Sequence, residues 1–207
     1  MAAEAQASAG ALGWLEPLLR RCARPIVRAC ARAGLSPNAL TLATVAGNAV
    51  AAIVLGSGQH AAGGILVLAV NALDLLDGEL ARATGQTSRF GAFLDSVCDR
   101  YSDLLIFAGL LAWYGRTGDP LLQMAVFACA AGSMLVSYTR ARAEGLGLGA
   151  ETGAFQRLER VVFLGLGLLL PWPAIAWVVV LLAAASNVTA VQRILHVRRL
   201  LGTDQRR

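Results

Sequence analysis

Lysine is absent from this chain. All 18 basic residues are arginine, which excludes a Schiff-base or general-base lysine. Charge of either sign is scarce, at 15% of 207 residues against 57% hydrophobic. So little charge at this length, with a mean hydropathy of +0.60, points away from a soluble domain and towards an integral membrane protein. His60 and His196 are too few and too scattered for a zinc site. Cys22, Cys30, Cys98 and Cys129 form no CxxC pair and show no metal-ligand spacing, so they read as small core residues in a reducing compartment. There is no internal repeat and no low-complexity stretch. In so apolar a chain the net charge of +5 marks cytoplasmic loops and the anionic lipid surface, not nucleic acid.

Six apolar segments are present, at about 38–56, 61–83, 90–114, 120–142, 157–170 and 172–195. Each is near the ~20 residues a membrane-crossing helix needs, the fifth being short. Ser36-Pro37-Asn38, Asp119-Pro120 and Pro171-Trp172-Pro173 punctuate them. Residues 11–33 set Leu12, Trp14, Leu15, Leu18, Leu19, Ile26 and Val27 against five arginines, which fits an amphipathic helix on the membrane surface. Pro17 and Pro25 are expected to limit any single long helix there. A basic tail that only sets topology would look similar. With six spans, nearly all arginines fall on one side and Arg116 falls in an opposite loop. The expected fold is therefore an all-α integral membrane protein, with six transmembrane helices preceded by an N-terminal amphipathic interfacial helix. Both termini face the cytoplasm, and the protein sits in the cell (inner) membrane.

Four aspartates interrupt this apolar pattern. Asp74, Asp77, Gly78 and Ala81 are spaced i, i+3, i+4, i+7, one face of the second segment. Gly91, Asp95 and Asp99 step by four along the third. A carboxylate within a membrane helix costs roughly 3 kcal/mol even on lenient scales. If the two helices meet as an antiparallel pair, four carboxylates converge at the cytoplasmic boundary. Such hard oxygen ligands suit Mg²⁺ or Mn²⁺, and two ions would hold a pyrophosphate. Gly78, Ala81 and Gly91 lack bulk, so a ligand can approach the backbone, and Arg82 can grip phosphate oxygens. Small residues also serve tight helix packing, which leaves the acids unexplained. Arg82, Arg89 and Arg100 are too few to neutralise Asp74, Asp77, Glu79, Asp95, Asp99 and Asp103 as a structural ion-pair network.

The spacing Asp74-x2-Asp77-Gly78-x2-Ala81-Arg82-x8-Gly91-x3-Asp95-x3-Asp99 resembles the signature of the CDP-alcohol phosphotransferases at all eight positions. The resemblance implies a domain over 35–200, an N-terminal segment at 1–34 and a cytoplasmic tail at 201–207. It also implies a homodimer that transfers a phosphatidyl group from CDP-diacylglycerol to an alcohol, releasing CMP, in phospholipid biosynthesis. Asp74, Asp77 and Asp95 would be the principal metal ligands. Asp99 would be general base and additional ligand. Asn38, Gly78, Ala81, Arg82 and Gly91 would accommodate the CDP moiety.

Ser137-Tyr138-Thr139-Arg140-Ala141-Arg142 and Leu158-Glu159-Arg160 bear on the acceptor. Arg140, Arg142 and Arg160 can form a basic pocket for a small phosphorylated alcohol. The stretch is similar to that of phosphatidylinositol-phosphate synthases, which implies inositol 1-phosphate, although a lysine usually stands there in place of Arg140. Glycerol 3-phosphate is the alternative acceptor, and these arginines also satisfy the positive-inside rule alone. A divalent-cation transporter would use the carboxylates but would leave Gly78, Ala81 and Arg82 without a task.

Overall fold

The computed structural model describes residues 16–149 and 155–204. Residues 1–15, which carry Leu12, Trp14 and Leu15 of the amphipathic segment, and tail residues 205–207 lie outside the described residues. Among the described residues there are seven helices and no strand: α1 Glu16–Arg32, α2 Pro37–Gly56, α3 His60–Thr84, α4 Arg89–Thr117, α5 Pro120–Glu144, α6 Arg157–Gly167 and α7 Ala174–Asp204.

Sequence punctuation explains most helix ends. Ser36, Ser88 and Asp119 each accept a hydrogen bond from a backbone N–H of the first turn they precede, with Pro37 and Pro120 at N-terminal positions that need no donor. Gly85 and Gly118 close α3 and α4 in left-handed conformation, at φ 68° and 74°. Pro25 was expected to limit α1, yet the helix runs through it for 17 residues. Its packing against α3, where Val27 meets Leu76 and Leu80, offsets the missing hydrogen bond.

α2, α3, α5 and α7 are long and apolar enough to cross a membrane. α4 has the length, at 29 residues, but carries Asp95, Asp99, Arg100 and Asp103. The fifth expected segment yields only the 11 residues of α6, about 16 Å of helix. Large apolar side chains such as Ile53, Leu121, Phe127 and Trp177 lie on the exterior, where a soluble protein would place polar ones.

α2 packs on both α3 and α4, α5 on α4 and α7, and α6 on α3 and α7. The close approach of α2 to α4 depends on Gly109, where an added Cβ would lie 2.4 Å from the Ala52 carbonyl oxygen. Leu55, Ile106, Leu110, Val126, Leu164 and Leu182 fill the centre of the bundle. α3 and α4 each lay most of their length on α2, and their acidic faces meet at one end, where Asp74, Asp95 and Asp99 converge as expected.

Candidate active site

The last turns of α3 and the first turns of α4 carry the acidic motif, and the Ser88 cap fixes where α4 begins. One oxygen each from Asp74, Asp95 and Asp99 lies within 4.8 Å of the others, and all three side chains are partly buried. Three hard oxygens at that separation can share a divalent ion. Asp99 Oδ1 is buried and makes no aligned hydrogen bond, so it retains a lone pair for a cation. The donor set fits Mg²⁺ or Mn²⁺.

Asp77 stands beside this trio in a different setting. Thr41 Oγ1 of α2 donates to its Oδ2 at 2.6 Å, and the Gly78 backbone N–H donates to its Oδ1 at 2.5 Å. Each carboxylate oxygen has a second lone pair, so these bonds orient Asp77 without using up its donor capacity.

A cleft of about 210 Å³ opens from Asp77 and Asp95. Asn38, Gly78, Ala81, Arg82 and Gly91 line it together, which are the five residues expected to hold a nucleotide. At Gly91 an added Cβ would come within 3.0 Å of Ser88 Oγ and 3.4 Å of Asn38 Oδ1, so a side chain there would narrow the cleft. Arg82 is half exposed and pairs with Glu79 at 2.6 Å.

The basic side of the site departs from expectation. Arg160 is 4% exposed and donates to Asp103 Oδ2 at 3.4 Å, while Ser133 donates to the same oxygen at 2.5 Å. Arg140 pairs with Glu144 at 2.7 Å along its own helix, and Arg142 is exposed. Arg193 of α7 is buried, donates to the Val136 carbonyl at 2.7 Å and lies close enough to Arg140 and Arg160 to feel their charge. The sequence marked Arg193 only as a cytoplasmic arginine.

Arg157 is the larger omission. From the first turn of α6 its Nη1 donates to Asp74 Oδ2 at 2.6 Å and lies 2.9 Å from Asp99 Oδ1. Its Nη2 donates to Asn71 Oδ1 at 3.0 Å, and its Nε is 3.7 Å from Asp103. One guanidinium thus ties the acidic cluster to α6. The signal was the excess of acid over the nearby arginines, which required a cation from elsewhere in the chain.

Comparison with known proteins places this geometry. The profile of the CDP-alcohol phosphatidyltransferase family matches residues 35–196. The phosphatidylinositol phosphate synthase of Mycolicibacterium smegmatis is 40% identical over 191 residues, covering 86% of this chain and 84% of that protein. That of Streptomyces avermitilis is 39% identical over 196 residues, covering 86% and 79%. The crystal structure of the Mycobacterium tuberculosis phosphatidylinositol phosphate synthase with CDP-DAG bound superposes with a TM-score of 0.80 at 37% identity, covering 86% of this chain and 94% of that one. The same enzyme in complex with manganese and citrate gives 0.80 at 36%, covering 84% and 88%. With the family profile matching nearly the whole helical body, this chain belongs to the CDP-alcohol phosphatidyltransferase family and is a transferase of phospholipid biosynthesis.

Proposed function

We propose that this enzyme transfers the phosphatidyl group of CDP-diacylglycerol to inositol 1-phosphate and releases CMP. The observation that carries the reading is the convergence of Asp74, Asp95 and Asp99 within 4.8 Å, beside a cleft walled by Gly78, Ala81 and Gly91. The names of the relatives, phosphatidylinositol phosphate synthases, support the acceptor, and their solved complexes with CDP-DAG and with manganese support donor and metal.

In this reading Asp74, Asp77, Asp95 and Asp99 hold two divalent ions, Mg²⁺ or Mn²⁺, whose chemistry is to neutralise the pyrophosphate and the charge on departing CMP. Asn38, Gly78, Ala81, Arg82 and Gly91 receive the cytidine diphosphate. Asp99 takes the acceptor's hydroxyl proton as the new oxygen–phosphorus bond forms and the bond to CMP breaks. Thr41 keeps Asp77 turned towards the cleft. We assign the acceptor's own phosphate to Arg140, Arg142 and Arg160.

We further propose a body of six spans over residues 35–200, with 1–34 as an N-terminal segment whose helix lies in the membrane surface and 201–207 as a tail. Both ends and the acidic cluster face the cytoplasm of a cell (inner) membrane enzyme that works as a homodimer. The predominance of arginine at the acidic end of the bundle supports this orientation.

The test is CMP release from CDP-diacylglycerol with Mg²⁺ or Mn²⁺ and a panel of acceptors. Inositol 1-phosphate should exceed both glycerol 3-phosphate and unphosphorylated inositol by at least about tenfold in kcat/KM, since a site built for one set of polar groups rejects another. Preference for glycerol 3-phosphate would make the product phosphatidylglycerol phosphate. Release with no acceptor on the panel would overturn the reading.

A further inference from the structure

Two asparagines meet inside this apolar bundle. Asn48 of α2 is 0% exposed and Asn71 of α3 is 9% exposed. A buried amide persists among aliphatic neighbours when its polar atoms are paired. Asn71 is paired at both ends. Its Nδ2 donates to the Val67 carbonyl one turn earlier at 2.8 Å and to Asn48 Oδ1 at 3.1 Å, which uses both amide hydrogens. That fixes the amide's orientation and leaves its Oδ1 to accept from Nη2 of Arg157 at 3.0 Å.

A bond between asparagines of adjacent helices is ordinary glue in a membrane protein. Glue needs only the Nδ2 end. The Oδ1 end has a separate task, which the setting of the arginine reveals. Guanidinium and carboxylate pair most strongly fork to fork, through two parallel N–H···O bonds. Arg157 instead serves two acids with one nitrogen: Nη1 donates to Asp74 Oδ2 at 2.6 Å and lies 2.9 Å from Asp99 Oδ1. Nη2 rests on the neutral amide, and Asp103 lies 3.7 Å from Nε on the remaining edge. Asn71 stands three residues before Asp74 on α3, which puts both on one face. The prong that could complete a fork on Asp74 is therefore occupied one turn away.

We propose that Asn71 is a positioning residue of the metal centre. By taking one amino group of Arg157 it lets the arginine balance Asp74 and Asp99 while barring it from a two-pronged grip that shuts out a divalent ion. A leucine of similar size at position 71 releases Nη2, and the guanidinium turns both prongs on the acids. Asn71 acts through Arg157, and the inference rests on Asp74 and Asp99 being metal ligands.

The chelator-stripped full chain in detergent is titrated with Mn²⁺, and the electron paramagnetic resonance of the free ion reads the site without turnover. Asn71→Leu and the smaller Asn71→Ala should each raise the Mn²⁺ dissociation constant about tenfold, as loss of a partner behind a metal ligand does. Arg157→Gln should bind Mn²⁺ at least as tightly as wild type. Adding Asn71→Leu to it should change the constant by less than about twofold, because no guanidinium remains to restrain. Asn48→Leu cuts the bond between helices but leaves Asn71 on Val67 and Arg157, so it should stay within about threefold of wild type. Equal weakening by Asn48→Leu and Asn71→Leu would reduce Asn71 to glue and overturn the proposal. So would a full loss from Asn71→Leu on top of Arg157→Gln, weaker binding in Arg157→Gln alone, or unchanged binding in both Asn71 variants. Mn²⁺ binding that survives Asp74→Asn and Asp99→Asn would overturn the ligand assignment as well.

Discussion

Replacing Arg157 with glutamine removes a guanidinium that approaches Asp74 at 2.6 Å, Asp99 at 2.9 Å and Asp103 at 3.7 Å. Losing one partner of a buried ion pair costs about 3–5 kcal/mol, because the other charge is left without compensation. Here the arginine side chain is 25% exposed and Asp74 and Asp99 are 11% and 16% exposed, so water shields part of that cost. About 2–3 kcal/mol is the expected loss. For a chain of this length each kcal/mol moves Tm by about 2–4 °C, which gives a fall of roughly 5–10 °C. The fall should appear in the presence of a chelator. Saturating Mn²⁺ supplies positive charge to the same carboxylates and should restore Tm to within about 2 °C of wild type. Melting of the detergent-solubilised protein, with and without Mn²⁺, measures both numbers. Arg157→Lys should recover part of the stability, since it keeps the charge but not the fork. If Arg157→Gln lowers Tm equally with and without metal, the arginine is holding helices together and is not balancing the acids.

Three other outcomes follow from the same geometry. Asp95→Asn should reduce CMP release at least about a thousandfold while leaving the melting curve of the chelated protein within about 3 °C of wild type, because the substitution removes a charge from a crowded cluster. Thr41→Val should raise the metal concentration needed for half-maximal activity by about tenfold with kcat little changed, since the hydroxyl aligns Asp77. Gly109→Val should lower Tm by roughly 5–10 °C irrespective of metal, because a Cβ there meets the Ala52 backbone, which cannot move aside as a flexible side chain would.

The acidic motif was legible in the sequence because helical periodicity places Asp74, Asp77, Gly78 and Ala81 on one face without any knowledge of tertiary contacts. The starts of α2 and α5 were legible for a similar reason: Ser36 and Asp119 cap locally and a proline follows each, whereas the Ser88 cap and the closing Gly85 and Gly118 emerged only from the structure. Arg157 was not, since it meets Asp74 across 83 positions of sequence, and periodicity says nothing about which distant helix fills a gap. The positive-inside rule even misdirected attention, because it accounts for every arginine at that end without asking which ones are buried. That α2 packs on both α3 and α4 was also out of reach, since periodicity does not say which helix becomes the shared neighbour.

The eleven residues of α6 carry a consequence for the surrounding lipid. A rod about 16 Å long is roughly half as deep as the hydrocarbon sheet around it. Leu166, Leu169 and Leu170 nevertheless face outward at its far end, followed at once by the prolines that halt the chain. An apolar element shorter than the sheet is matched by local thinning, at a cost that grows with the mismatch. In bilayers of graded acyl length, activity that falls first in the thickest would mark α6, the element that delivers Arg157 to the acids, as the one that meets lipid.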